Sequence, residues 1–318
     1  MIIDIAIPDI SFIIAAYNAE ETLARAIDSA LSQVGVTVEV IVVDDCSTDE
    51  TVEIAESYTD PRVRLIRQPQ NGGPGRARNT GIAAATGRFV ATLDSDDAVY
   101  PERALSMLQR AMTLDAQIVV DNVDVVPLEG GAAKTMFDKR YLGQKREITL
   151  AEFIDSNLIF KTTFNYGYMK PIFDREFLAR HDLWFDEALR IGEDYILFAS
   201  VLASGARCAV DPNPGYVYYL RQGSISRVLK QQHLDDMLEG DSRFMARFPL
   251  GPAEMEAQRR RTHSIIEARS FLTLVDEVKR KSLGGFLKTA MQAPGALKHF
   301  RMPIAVRMRR FVKTSGVN

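Results

Sequence analysis

Three carboxylates crowd into four positions at Asp94, Ser95, Asp96 and Asp97. Side by side they repel one another unless a cation sits among them. A hard divalent ion such as Mg²⁺ or Mn²⁺ takes oxygen ligands and shares them with a substrate diphosphate. The same four residues also suit a solvated acidic turn that caps the next helix, since short acidic motifs are unspecific. A second pair, Asp44 and Asp45, can accept from the N3–H of a uracil or from a ribose hydroxyl. Ser47 and Glu50 stand three apart, as in a capping box. With Ser47 as the cap, one of the two aspartates is left without a structural task. Residues 72–79 (GGPGRARN) bring glycines, Arg76 and Arg78 to the start of a helix, where N–H groups and guanidinium groups make an anion site. The Gly-Lys-Ser/Thr ending of a phosphate loop is absent, and so is a Gly-x-Gly-x-x-Gly turn after the first strand. A plain loop and cap is the competing reading, above all for Arg76. Glu193 and Asp194 open another helix, where acidic side chains are favourable in any case. Their sharper reading is a general base that takes a proton from an acceptor hydroxyl. Trp184 and Tyr166 suit either a sugar-stacking wall or the core. The four histidines are scattered and receive no role.

Something must bring these groups together, and the first hundred residues supply it. Residues 12–16 are a short apolar run of the kind buried in a parallel sheet. Leu23, Ile27, Ala30 and Leu31 then recur at helical spacing. Residues 38–43 form a second β-branched run that ends at Asp44-Asp45. Residues 63–66 read as a third strand and 71–75 as a loop. Residues 76–86 are helical in character, with Gly87 as the stop, and 89–93 are a fourth strand ending at Asp94. Such alternation predicts a parallel sheet with helices on both faces. Ligands bind such sheets beyond the carboxyl ends of the strands. Tyr17-Asn18, Asp44-Asp45 and residues 94–97 all fall at those ends.

Later segments are less regular. Residues 101–112 read as a helix with Pro101 in its first turn, and 117–126 contain a strand. Residues 129–147 lack periodicity and read as a mobile loop. Thr149 with Glu152 is set to cap a helix. Residues 168–173 and 216–220 resemble strands, and 195–202 an apolar helix. Beyond residue 226 the chain reads as helical, broken near Pro249–Pro252 and near Pro294-Gly295.

Composition bounds the class. The chain has 318 residues, 46% hydrophobic and 25% charged, ample for one large or two modest domains. Its two cysteines, Cys46 and Cys208, stand far apart, which fits a reducing compartment rather than a disulfide scaffold. Residues 1–10 carry Asp4 and Asp9 and no basic region, unlike a signal peptide. No run of about 18 apolar residues is present, so no membrane span is expected. The net charge of −3 is uneven: residues 279–318 hold ten Lys and Arg and no Asp or Glu, while residues 1–278 hold 29 against 42, a net of −13. Apolar residues interleave with these cations, and a basic amphipathic helix reads as a membrane-surface element in preference to a solvated helix face or a nucleic-acid patch.

In order and spacing, residues 12–18 (FIIAAYN), 41–49 (IVVDDCSTD), 71–81 (NGGPGRARNTG), 93–97 (LDSDD) and 192–194 (GED) resemble the family 2 glycosyltransferases of GT-A fold. The likeness spans about residues 10–225 and is strongest to bacterial exopolysaccharide enzymes of the succinoglycan type. It implies an α/β, Rossmann-like, mainly parallel sheet with helices on both faces. The catalytic domain would cover 1–225, with a nucleotide-binding half to about 125 and an acceptor half over 126–225. A helical, basic extension would follow over 226–318. The resemblance implies that Ala15, Tyr17 and Asn18 border the base, Asp45 binds uracil with Asp44 in support, and Arg78 contacts base or diphosphate. Asp96 would hold the ribose, and Asp96 or Asp97 a Mn²⁺ or Mg²⁺, with Asp94 beside them. Asp194 would be the base, with Glu193 as the other choice. The reaction implied is an inverting transfer of a hexose from a nucleotide sugar, UDP-linked, to a lipid-linked glycan. That places the protein in the cytoplasm, peripheral on the inner membrane face, with no nucleic acid as partner. Absence of the Gln-x-x-Arg-Trp motif favours single additions over processive synthesis. Residues 218–227 resemble a loop near the diphosphate in which Arg221 replaces a customary histidine. A sugar nucleotidyltransferase and a non-catalytic sugar-nucleotide or glycan-binding module are the alternatives.

Overall fold

The computed structural model describes residues 7–128, 132–161, 165–220 and 229–301. The first half alternates β1 (Ile10–Ala16), α1 (Leu23–Leu31), β2 (Val38–Asp44), α2 (Thr51–Glu56), β3 (Val63–Arg67), α3 (Pro74–Ala84) and β4 (Phe89–Thr92). Strand side chains alternate between faces. Accordingly Ile13, Ile41 and Val43 join a core with α3 residues, while Phe12, Ile14, Val40 and Val42 join a second core with α1 residues. Helices therefore cover both faces, as expected.

There follow β5 (Ala98–Val99), α4 (Arg103–Leu114), β6 (Ile118–Pro127), β7 (Lys134–Thr135), α5 (Lys139–Gln144), α6 (Leu150–Ser156), β8 (Ile172–Asp174), α7 (Arg175–Arg180), α8 (Glu193–Ala203) and β9 (Cys208–Leu220). Among the described residues the nine-stranded sheet runs β3-β2-β1-β4-β8-β6-β9-β5, with β7 paired to β6. Strands β3, β2, β1 and β4 are parallel to one another. Strand β8 is antiparallel to both β4 and β6, and β6 with β9 is parallel again. The sheet is thus parallel over the half expected to bind the nucleotide and mixed over the half expected to take the acceptor.

Four local expectations change. The described part of 129–147 is ordered structure, not an aperiodic loop. Asp138 caps α5 by accepting from Tyr141 N–H at 2.8 Å, Leu142 is buried, and Thr135 donates to Asp124 at 2.7 Å. A single buried side chain in the six residues of α5 leaves no periodic signal. Residues 168–173 are strand only at Ile172–Asp174, behind a 3-10 turn at Tyr166–Tyr168. Helix α3 ends at Ala84, and Gly87 is needed elsewhere: a Cβ there would stand 2.6 Å from Ser11 Oγ and 2.8 Å from Ser11 N. The late strand reaches back to Cys208. The Thr149–Glu152 capping box forms as predicted.

Helices α9 (Gln231–Arg247), α10 (Pro252–Lys279) and α11 (Leu283–Gln292) form the extension, with breaks at both proline sites. It is riveted to α8 and to the end of α6. Arg261 stacks 3.6 Å over the Tyr195 ring, binds Asp241 at 2.9 Å and donates to the Asn157 carbonyl at 2.8 Å, all out of solvent. Tyr195 lies on α8, directly after Asp194. None of the described helices is long and apolar enough to cross a membrane.

Candidate active site

Register aligns the strand ends. Ala16 pairs with Asp44 across β1 and β2, and Ile13 pairs with Thr92 across β1 and β4. The polar turns that follow therefore form one ledge. Ala15 is half-buried, while Tyr17 is 53% exposed. Asn18 takes a left-handed φ of 48°, which asparagine tolerates better than most. Its N–H donates to Ser47 Oγ at 3.0 Å, and its Oδ1 accepts from Thr48 N–H at 2.9 Å. This settles the local question of Ser47. Its hydroxyl joins β1 to β2 instead of capping α2, which starts at Thr51.

Both aspartates at the β2 end also have structural partners, contrary to the expectation that one was spare. Asp44 accepts from Ser47 N–H at 3.2 Å. Asp45 Oδ1 accepts from Gly72 N–H and Oδ2 from Gly73 N–H, each at 2.8 Å. Gly73 has φ +85°, and the Arg190 guanidinium fills the space a Cβ would need. Asp45 thereby moulds the glycine loop at the N-terminus of α3. A carboxylate has about four lone-pair sites, so each aspartate keeps acceptor capacity.

Arg78, one turn into α3, is buried at the centre of an ion cluster. Its Nη1 lies 2.7 Å from Glu193 and 3.2 Å from Asp194, and its Nη2 lies 2.9 Å from Asp94. Lys170 closes the ring at 2.7 Å from Asp94 and 3.3 Å from Asp194. Burial alone would push the Asp94 carboxyl up, but Lys170 and Arg78 pull it well below the usual carboxylate range. Glu193 is pushed up by burial and by Asp194, against the pull of Arg78. Its side chain is 9% exposed, and that of Asp194 is 34%. Asp194 is therefore the more solvent-open member of the pair.

Asp97 has a different setting. It is fully buried, with Oδ2 accepting from Tyr216 Oη at 2.7 Å and Oδ1 from Tyr219 N–H at 3.0 Å. Burial and the nearby Asp94 and Asp96 push its carboxyl well above the usual range. Arg25 of α1 donates to the Asp96 carbonyl and stacks 3.9 Å over the Tyr219 ring. The 94–97 turn is thus braced from α1 and from β9.

Could these residues hold a divalent ion? Among the described residues no three His, Cys, Asp or Glu side chains form a ready cage. Asp97 has both oxygens engaged, and Asp94 binds two cationic side chains. Asp96, half-buried on the same turn, has the right oxygen chemistry. Mg²⁺-type ions are commonly held by one or two carboxylates plus substrate phosphates and water. The donor set fits an ion that arrives with a diphosphate.

Lys170, Arg25, Tyr216 and Tyr219 escaped the sequence reading. A signal existed for Lys170, a lone charge in the mostly apolar stretch 169–173, because a buried lysine requires a partner. Tyr166 is core, its hydroxyl 2.9 Å from that of Tyr141. Trp184 is 40% exposed, with Nε1 donating to Asp182. Residues 221–228, which include Arg221, lie outside the described residues.

Comparison with known proteins gives a consistent result. Residues 11–177 match the family model described as Glycosyl transferase family 2. The chain is 54% identical over 304 residues to the succinoglycan biosynthesis protein ExoO of Rhizobium meliloti (strain 1021), covering 96% of this chain and 87% of that one. It is 31% identical over 294 residues to ExoU of the same organism, covering 91% and 84%. The fold is similar to Staphylococcus aureus TarS 1-349 in complex with UDP-GlcNAc: TM-score 0.64, 20% identity, 88% of this chain and 90% of that chain. The UDP complex of the same protein gives 0.62 at 21% identity, covering 88% and 80%.

Proposed function

This chain belongs to glycosyltransferase family 2, and from that premise we propose that it transfers a hexose from a UDP-linked sugar to a lipid-linked oligosaccharide in exopolysaccharide assembly. The transfer is inverting, metal-dependent and adds one sugar at a time. Family membership displaces the nucleotidyltransferase alternative. The observation that carries the reading is Asp194, partly open at the start of α8 and held by Arg78 and Lys170 beside Asp94 at the end of β4. Kinship with two succinoglycan biosynthesis proteins supports the exopolysaccharide setting, and the UDP and UDP-GlcNAc complexes of TarS support a UDP-linked donor.

In this mechanism Ala15, Tyr17 and Asn18 border the base, and the spare lone pairs of Asp45 receive the uracil N3–H. Asp96 holds the cation and neighbours the ribose. Asp97, a cation candidate in the sequence, acts as a brace that fixes the turn against β9. A divalent ion bound with the donor supplies neutralisation of the leaving diphosphate. Asp194 takes the proton from the acceptor hydroxyl as that oxygen attacks the anomeric carbon from the face opposite the leaving group. Displacement in one step inverts the centre and needs no covalent enzyme intermediate. Arg78 and Lys170 keep Asp194 oriented and Asp94 ionised; Glu193 anchors Arg78. A lipid-borne acceptor puts the working enzyme on the cytoplasmic face of the membrane.

The test is direct. The protein is incubated with Mn²⁺ or Mg²⁺ and a panel of UDP-, GDP- and dTDP-sugars, and thermal shift and donor hydrolysis are followed. UDP-sugars should stabilise it and be hydrolysed slowly without acceptor. Stabilisation by none of the donors would sink the proposal, and binding without any turnover would favour the non-catalytic module.

A further inference from the structure

Among the described residues, α11 is the one helix of the extension with no buried residue. Its inner side, Phe286 and Ala290, leans on Phe271, Leu274 and Ala296. Its outer side carries Leu283, Leu287 and Met291, which are 73%, 52% and 76% exposed. A spacing of four residues per step keeps these three within about 80° of helical arc, a single apolar stripe. Arg280 and Lys281 are exposed just before the helix, and Lys288 is exposed at the edge of the stripe. Single exposed apolar residues are normal on any protein. A stripe of three bordered by cations, in a stretch of chain with ten Lys and Arg and no acid, is not.

The charge pattern decides what covers this face. A second copy meeting it face to face would bring cations against cations. A nucleic acid would use the cations but gain nothing from three aliphatic side chains. An anionic bilayer satisfies both: headgroups take the cations while the aliphatic stripe enters the acyl boundary. We propose that the α11 face, Leu283, Leu287 and Met291 framed by Arg280, Lys281 and Lys288, is a docking surface for an anionic lipid bilayer. This deepens the reading of a lipid-borne acceptor given above, and it names the side of the molecule that lies on the membrane.

Flotation of the full chain with vesicles tests it. The wild type should float with phosphatidylglycerol–phosphatidylethanolamine vesicles and stay down with phosphatidylcholine. Leu283→Ser/Leu287→Ser/Met291→Ser should cut the floating fraction about ten-fold or more at low salt, while the thermal shift with UDP and Mn²⁺ is unchanged. Arg280→Gln/Lys281→Gln/Lys288→Gln should remove the preference for anionic vesicles. The proposal is overturned if the wild type ignores lipid charge, or if the serine variant floats like the wild type. It is also overturned if the wild type is a dimer that the serine variant dissolves. Donor hydrolysis is measured without vesicles, so failure there with flotation intact counts against the activity and leaves the docking surface standing.

Discussion

Asp97→Asn, set against Asp96→Asn, tests how the acidic turn divides its work. Asp97 Oδ1 accepts from Tyr219 N–H at 3.0 Å and Oδ2 from Tyr216 Oη at 2.7 Å, with no exposure to solvent. The Asp97→Asn side chain keeps the shape and an acceptor for Tyr219. On the other side its amide must donate, and the Tyr216 hydroxyl, which already accepts from Asp94 N–H at 3.2 Å, loses the acceptor for its own proton. Two charge-assisted bonds become neutral or inverted, at about 1 kcal/mol each, and a stranded hydroxyl proton costs about 1–3 kcal/mol. Against this, burial and the neighbouring Asp94 and Asp96 already work against a charge at position 97. The net expectation is a loss of about 1–3 kcal/mol, which lowers Tm by several degrees without unfolding a protein of ordinary stability. Mn²⁺-dependent UDP affinity should then fall by less than about five-fold. Asp96→Asn should do the reverse: a small change in Tm, and a loss of about 1.5–3 kcal/mol in Mn²⁺-dependent binding, or about 10–100-fold. Calorimetric titration of UDP with Mn²⁺ and with EDTA, beside thermal melts, reads both. If Asp97→Asn abolished the Mn²⁺ dependence while leaving Tm within about a degree of wild type, Asp97 would be a cation ligand and the bracing role would be wrong.

Asp194→Asn should keep UDP binding within about two-fold and cut transfer by about 10²–10⁴-fold; a normal rate would move the base elsewhere. Lys170→Met removes one of two cations from Asp94 and Asp194. Breaking a buried pair costs about 3–5 kcal/mol, and the remaining contacts to Arg78 should hold the loss near the bottom of that range. Lys170→Arg should recover part of it, and an unchanged urea midpoint for the methionine variant would refute the cluster's weight. Glu39 accepts from Ser11 Oγ at 2.6 Å, Thr86 N–H at 2.6 Å and Gly87 N–H at 3.0 Å, tying β1 and β2 to the turn before β4. Burial pushes its carboxyl up, but these donors bring it below its ordinary value of 4.5. A depressed carboxylate stabilises the fold above its unfolded value and loses that contribution as pH falls through the folded one. The Tm gap between wild type and Glu39→Gln should therefore be widest near neutral pH and close below 4.5; a pH-independent gap would exclude the carboxylate's charge as its source.

What could be read from the sequence was local or strongly periodic. Strands β1, β2 and β4 are apolar runs that stop at polar residues, and those stops are the ledge. The Thr149–Glu152 box needs only its own backbone, and it formed as read. Ser47 and Glu50 have the same local grammar, yet the Ser47 hydroxyl serves Asn18, 29 positions away. Nothing local distinguishes the two cases. Arg78 was legible as a cation at a helix start, but its partners lie 16 and 115 positions along the chain. Lys170 between Met169 and Pro171 carried one faint cue, the cost of an unpaired charge in an apolar stretch. The bracing of Asp97 by Tyr216 and Tyr219 depends on β9 lying against β5, a pairing that no spacing reveals.

The charge balance of the cluster bears on how a donor could enter it. Asp94, Glu193 and Asp194 face Arg78 and Lys170, and Asp96 adds another carboxylate on the same turn. A diphosphate approaching the end of β4 brings more negative charge to a ledge that already has a surplus. Two like charges about 4 Å apart cost about 4 kcal/mol at an effective dielectric near 20. Two or three such contacts would erase the roughly 8 kcal/mol that a micromolar ligand gains. Protonating Glu193 cannot lift the repulsion at the ledge, because its carboxyl is turned to Arg78 and shut from solvent. A divalent ion, which on the proposed reading Asp96 would hold, would supply the positive charge that offsets this repulsion. The metal dependence proposed above therefore requires no ready cage among the described residues, because the donor's own phosphates would complete the ligand set.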